Sequence, residues 1–144
     1  METCGYAAWE VFEKVIKHVD LLLFDFKNMD SAQHMAKTGV GNERILDNAV
    51  RASHVVKDMV VRFPLIPGFN DSDKNANELG LLVRDQMPRV KRIDILKYHS
   101  IGESKHMRIG KEYKFHHENE LSDERVANVK KILESYGMHV TIGG

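Results

Sequence analysis

Cysteine is almost absent. A single thiol, Cys4, in 144 residues excludes an intrachain disulfide framework. It also excludes a zinc or iron–sulfur site built from this chain's own thiolates. A charge excess of either sign is lacking as well, because 21 Lys plus Arg balance 21 Asp plus Glu. Nothing in that balance favours a nucleic-acid surface or an anionic membrane. No apolar run approaches the ~20 residues of a membrane span. The N-terminal stretch carries Glu2, Glu10, Glu13, Lys14 and Lys17 among short apolar runs, unlike a signal peptide. The expected setting is therefore cytoplasmic, with neither nucleic acid nor membrane as partner. What is present suits one folded domain over residues 1–144: 42% hydrophobic and 29% charged residues can build a core.

Short apolar runs read as buried strands. They are residues 21–26, 59–63, 93–98 and 139–142, the second stopped by Pro64 and by Pro67-Gly68. Helical patterns fill the gaps. Trp9, Phe12, Ile16 and Val19 repeat at helical spacing. Asn42 stands as N-cap before Ile45, Leu46, Ala49 and Ala52. Asp71-Ser72-Asp73 opens a helix with Ala76, Leu79 and Val83. Ser122 caps the last helix, which carries Val126, Val129, Ile132, Leu133 and Tyr136, and Gly137 stops it. The order α-β-α-β-α-β-α-β predicts an α/β fold with a parallel sheet or barrel. Residues 1–5 look like the turn leaving a strand, so the chain reads as the C-terminal half of a partial, TIM-like (β/α) barrel. Residues 100–121 form a long polar segment without periodicity.

Chemistry in such folds gathers at the carboxyl ends of the strands. Those ends offer Glu2-Thr3, Asp25 and Lys27, Arg62, and His99. Asp25 and Lys27 share a face with Leu21 and Leu23, while His99 shares one with Lys97, Ile95 and Ile93. Asp25 as a ligand group and Asp25 as a turn cap are equally open. Arg62 inside an apolar strand requires a partner, either an ion pair or a ligand. His18, His34, His54, His106 and His139 show no metal-ligand spacing, and His116-His117 is an adjacent pair. Cys4 has no base at a recognisable spacing and reads as a turn residue.

Four segments together resemble one family. They are Glu2-Thr3-Cys4-Gly5-Tyr6-Ala7 with Trp9-Glu10, and residues 20–30 followed by His34 and Thr38-Gly39. The third is Asn42-Glu43-Arg44-Ile45-Leu46-Asp47-Asn48 with residues 62–71. The fourth is Tyr98-His99, Gly102, Lys105, Gly110 and Tyr113. In this order they resemble the glycyl-radical enzyme activating enzymes of the radical S-adenosylmethionine (SAM) superfamily, which include the pyruvate formate-lyase (formate C-acetyltransferase) activating enzyme. The resemblance implies reductive cleavage of SAM by a 4Fe–4S cluster. The resulting radical takes a hydrogen from a glycine of a partner glycyl-radical enzyme. It also implies an electron donor of flavodoxin or ferredoxin type. The family's CxxxCxxC motif is absent, so the cluster ligands are expected in a missing N-terminal part.

The resemblance also implies site roles. Asp25 and Lys27, with Phe26 between them, fall on an Asp-x-Lys that approaches the methionine end of SAM. Glu2-Thr3 falls where relatives present an acid and Thr near the SAM carboxylate, in some cases around a monovalent cation. Glu2 is one methylene longer than the Asp of some relatives. His99 matches a histidine on the ribose and adenine side, and Arg62 an arginine at the mouth of the site. Lys97 stands where many relatives have Pro. Residues 102–113 fall on a loop that covers the site near the protein substrate.

Two other readings compete. One is a receiver-like phosphoacceptor domain using Glu2, Asp25 and Lys97. The other is an aldolase-type barrel with Lys27 as a Schiff-base lysine, although Asp25 nearby favours the charged amine. A half barrel also leaves the strand at 21–26 with an open edge, which predicts self-association as a dimer. With one cysteine, the chain by itself is expected to be inactive. Anaerobic reconstitution with iron and sulfide, then dithionite and SAM, should release no 5′-deoxyadenosine above a protein-free control.

Overall fold

The computed structural model describes residues 1–97 and 121–143. Among them the order is β1 (Glu2–Thr3), α1 (Trp9–Ile16), β2 (Leu21–Asp25), α2 (Ser31–Thr38), α3 (Glu43–Val55), β3 (Asp58–Leu65), α4 (Asp73–Gln86), β4 (Val90–Lys97), α5 (Asp123–Glu134) and β5 (His139–Ile142). The five strands are parallel and lie in chain order. With right-handed crossovers, a strand order that never reverses carries every helix to one face. That is the winding of a barrel segment. A receiver-type sheet is wound in the order 2-1-3-4-5, so the reading of Asp25 as a phosphoacceptor fails on topology.

All four expected strands are present, and β1 is a fifth. Pro64 does not stop the second strand, which runs on to Leu65 because Pro64 and Leu65 pair with Leu96 and Lys97 on the β4 side. Two residues are too short to show a period, so β1 reads in sequence only as a turn. The Leu23 N–H donates to the Met1 carbonyl at 2.8 Å, and the terminal ammonium donates to the Leu21 carbonyl at 2.8 Å. The edge of β2, expected to be open, is therefore partly covered, and the edge strands of the described sheet are β1 and β5. Helix α2 is also additional. It has a capping Asp30, whose carboxylate accepts from the Gln33 N–H, and a left-handed Gly39, but His34 is its one buried residue. Without an apolar stripe it leaves no periodic trace. Helix α1 stops at Ile16, short of Val19.

Local chemistry explains the helix ends. Ser72 and Ser122 each accept a backbone N–H from three residues on. Gly137 takes a φ of 83° after α5. Asn42 does precede α3, but its side chain does not cap the helix. Its amide donates instead to the carbonyls of Asn28 and Met29, at 2.9 and 2.7 Å.

The two faces of the sheet differ. Leu22, Phe24, Val61, Phe63, Leu65, Ile93, Ile95 and Val140 face the helices and are at most 2% exposed. They form one core with Phe12, Ile45, Ala49, Leu79 and Leu133. The alternate residues Leu21, Asp25, Val60, Arg62 and Asp94 occupy the other face. A register shift between Met59 and Val60 sets Asp94 level with Arg62.

Gly5 leaves β1 with φ at 68°, and a Cβ there would lie 2.6 Å from the buried Phe24 ring. Gly5→Ala therefore combines backbone strain with overpacking. It should cost about 2–4 kcal/mol, read as a fall in the urea midpoint with unchanged m-value.

Candidate functional site

The face without helices carries a row of charges at the carboxyl ends of the strands. The register sets Asp25 opposite Arg62, Arg62 opposite Asp94, and Asp94 opposite Thr141. Arg62 bridges three strands. Its Nε lies 2.9 Å from Asp25 Oδ1 on β2, and its Nη2 lies 2.5 Å from Glu2 Oε1 on β1. Lys27 Nζ stands 3.8 Å from Asp25 Oδ2. Arg62 thus has ion-pair partners, and Asp25 serves as a partner rather than as a turn cap. The cap of the following turn is Asp30.

Asp25 and Arg62 side chains are only 15% and 17% exposed. They meet at contact distance with poor alignment. Neither Asp25 Oδ1 nor Arg62 Nε has a well-directed hydrogen bond. Leaving a buried polar atom so placed costs about 1–3 kcal/mol, and such atoms are where a polar ligand gains most. The hydrogen bond from Arg62 holds the Glu2 carboxyl below its ordinary value, and that same bond raises Arg62. The row offers a carboxylate beside an ammonium and a guanidinium. That set suits a zwitterion, with its ammonium against Asp25 and its carboxylate against the cations.

Asp94 was not singled out from the sequence. It is 2% exposed. Arg92 Nε approaches its Oδ1 at 2.9 Å, and Thr141 Oγ1 donates to the same oxygen at 2.7 Å. The available signal was an acid alternating with Ile93 and Ile95 in a strand.

The other expected residues divide. Thr3 pairs opposite Phe24, and its Oγ1 accepts the Gly5 N–H at 2.9 Å. Phe26 is 1% exposed and packs on Phe24, so its side chain belongs to the core. Lys97 turns to the helix side and pairs with Asp123 at 2.6 Å. His99 and the segment 102–113 lie outside the described residues. Cys4 is a free thiol, and among the described residues no group of three His, Cys, Asp or Glu could hold a metal ion. One thiolate cannot hold a 4Fe–4S cluster, so this chain does not furnish that site. Among the described residues no helix is long and apolar enough to cross a membrane.

No family model matches the chain. It is 37% identical over 145 residues to the 4-hydroxyphenylacetate decarboxylase activating enzyme of Clostridium scatologenes, covering 99% of this chain and 46% of that protein. It is 37% identical over 144 residues to the choline trimethylamine-lyase activating enzyme of Oleidesulfovibrio alaskensis, with the same coverage. A crystal structure of a domain of pyruvate-formate lyase-activating enzyme from Bacteroides vulgatus matches with a TM-score of 0.79 and 28% identity. That match covers 99% of this chain and 79% of the domain. The chain spans about half the length of the curated relatives it matches.

The Glu2–Arg62 pair has a testable pH signature. Because the folded pKa of Glu2 lies below its ordinary 4.5, its stabilisation is complete above that value. It is lost as pH falls through the lowered one. Glu2→Gln should be less stable than wild type near neutrality, and the difference should shrink on acidification. Urea midpoints at about pH 6 and about pH 3 check this.

Proposed function

We propose that this chain, which belongs to the glycyl-radical enzyme activating enzymes, supplies the SAM-facing part of such an activator. The observation that carries the reading is the buried Asp25–Arg62 contact with its two poorly directed polar atoms beside Lys27. When bound with a reduced 4Fe–4S cluster held by residues outside this chain, SAM supplies the radical that removes hydrogen from the partner's glycine.

The residues of this chain bind and orient. Asp25 accepts from the amino group of the methionyl end. Lys27 and Arg62 neutralise its carboxylate, and Glu2 holds Arg62 from the β1 side. His99 is assigned to the ribose and adenine end, Phe26 and Thr3 contribute through the backbone they fix, and a monovalent cation between Glu2 and the carboxylate belongs to the same reading. No general acid or base is required of these residues, whose described members form ion pairs.

The partner class is a glycyl-radical enzyme, with a flavodoxin- or ferredoxin-type electron donor. Pyruvate formate-lyase is the finer assignment, supported by the match to a domain of its activator. Two relatives with higher identity carry the names of a decarboxylase and a lyase activator instead. Cytoplasmic placement follows from a chemistry that needs a reducing medium. Pairing of two copies belongs to the proposal for the chain alone, through the sheet edge or the helix-free face where Leu21 is 43% exposed, and not for the activator, in which that face meets SAM.

Replacing Asp25, Lys27 or His99 by Ala in the cluster-bearing activator should weaken SAM binding or turnover while leaving the cluster spectrum intact. Each hydrogen bond to a charged group is worth about 1.5–3 kcal/mol, or roughly tenfold to a hundredfold. SAM titration and 5′-deoxyadenosine release measure it. Unchanged values in all three variants would remove the assignment.

A further inference from the structure

The ladder between β2 and β3 meets an obstacle at Pro64. The Phe26 N–H still donates to the Arg62 carbonyl at 3.0 Å. Alternation along β3 turns Pro64 to that same side, where its ring nitrogen has no N–H to give. Beyond the last rung, the carbonyls of Lys27 and Pro64 are both acceptors and cannot bond each other.

One side chain resolves this. Asn70, 1% exposed, sends both N–H groups of its carboxamide into the gap. Its Nδ2 donates to the Lys27 carbonyl at 2.6 Å and to the Pro64 carbonyl at 2.7 Å. Its Oδ1 accepts the Ile66 N–H at 2.7 Å. Its own carbonyl accepts from Asn75 Nδ2 at 2.9 Å, and Asn75 Oδ1 accepts the Met29 N–H at 2.7 Å. The donors and acceptors of the Asn70 carboxamide are therefore all used, and each bond ties a strand end to a loop.

We infer that Asn70 is a positioning residue: it locks the end of β2 to the end of β3, and so sets Lys27 and Asp25 against Arg62. The inference rests on the proposed SAM site for its purpose, but not for its geometry. Lys27 lies beyond the last residue of β2, and Arg62 lies two residues before Pro64. Without the carboxamide, nothing else described joins those two carbonyls. A carboxylate in its place is worse than nothing, because Asn70→Asp sets an anion against two carbonyl dipoles. Asparagine is specified here because one planar group must give two donors to the strands and one acceptor to the loop.

The test uses nuclear magnetic resonance on the full chain. Asn70→Ala and Asn70→Asp should speed exchange of the Phe26 N–H by about tenfold to a hundredfold beyond any global change. They should also shift the Arg62 Nε–H resonance. Leu133→Ala, in the core far from the strand ends, serves as a control of lowered stability and should leave that resonance in place. Asn70→Ser keeps one donor and should fall between wild type and Asn70→Ala. It carries the test if the others do not fold. Phe26 exchange and Arg62 Nε–H that follow Leu133→Ala, or stay as in wild type, would overturn the inference. SAM titrated into the cluster-bearing activator carrying the same substitutions separates the two readings. Wild type that binds none, with the Asn70→Ala changes present, defeats the ligand assignment alone. Measurable binding that is equal in wild type and Asn70→Ala defeats the positioning role.

Discussion

Proline at position 64 stops the β2–β3 ladder, and much of the ligand end is organised around that stop. A parallel sheet needs an N–H on every second residue facing a neighbour. Pro64 withholds one on the β2 side, while Pro64 and Leu65 stay paired with Leu96 and Lys97 of β4 before the chain turns through Pro67-Gly68. Loop carbonyls at this end of the sheet, those after β1 included, are satisfied by side-chain amides. Asn28 donates to the Phe69 carbonyl, Asn42 to Asn28 and Met29, and Asn48 to Gly5 and Ala7. Buried backbone acceptors demand partners, and asparagine is short enough to reach them without leaving a charge behind.

The charge row depends on the same frame. On the helix side of the sheet every residue can be apolar, because helices exclude water from it. Among the described residues the opposite face has no helix against it, so ionised groups are tolerated there if they pair. Arg62 is the member with the longest reach, and it joins β1, β2 and β3 through two carboxylates. Asp94 is the more buried acid, and it is the better satisfied, with Arg92 and Thr141 both directed at it. Burial and unmet bonding capacity thus fall at different places. The unmet capacity lies at Asp25 and Arg62, where the ligand reading places the methionyl end of SAM.

Much of this was legible in the chain. The alternation of helices and strands came from apolar spacing, and Ser72, Ser122 and Gly137 marked helix ends correctly because capping is a three-residue affair. Asp25, Lys27 and Arg62 stood out as ionisable residues at strand ends. Helix α2 left no trace, since its single buried residue is a histidine. β1 was too short to have a period. Asn42 was placed at the right boundary with the wrong bond, because cap chemistry can be read locally while its amide reaches back to residues 28 and 29.

Local states could be read from the chain where a period or a cap marks them, as in α3, α4, α5 and strands β2 to β5. Those follow from side-chain spacing and from bonds between residues a few positions apart. Only the tertiary structure decided the partners. Arg62 meets Glu2 across 60 positions, and Asn70 meets Lys27 across 43. Nothing in either residue's neighbourhood specifies the other, because both contacts depend on the order in which strands lie side by side. The strand order β1-β2-β3-β4-β5 turned a run of separate polar residues into one charged row. The physical reason is that a parallel sheet aligns strand ends that the chain itself keeps tens of residues apart.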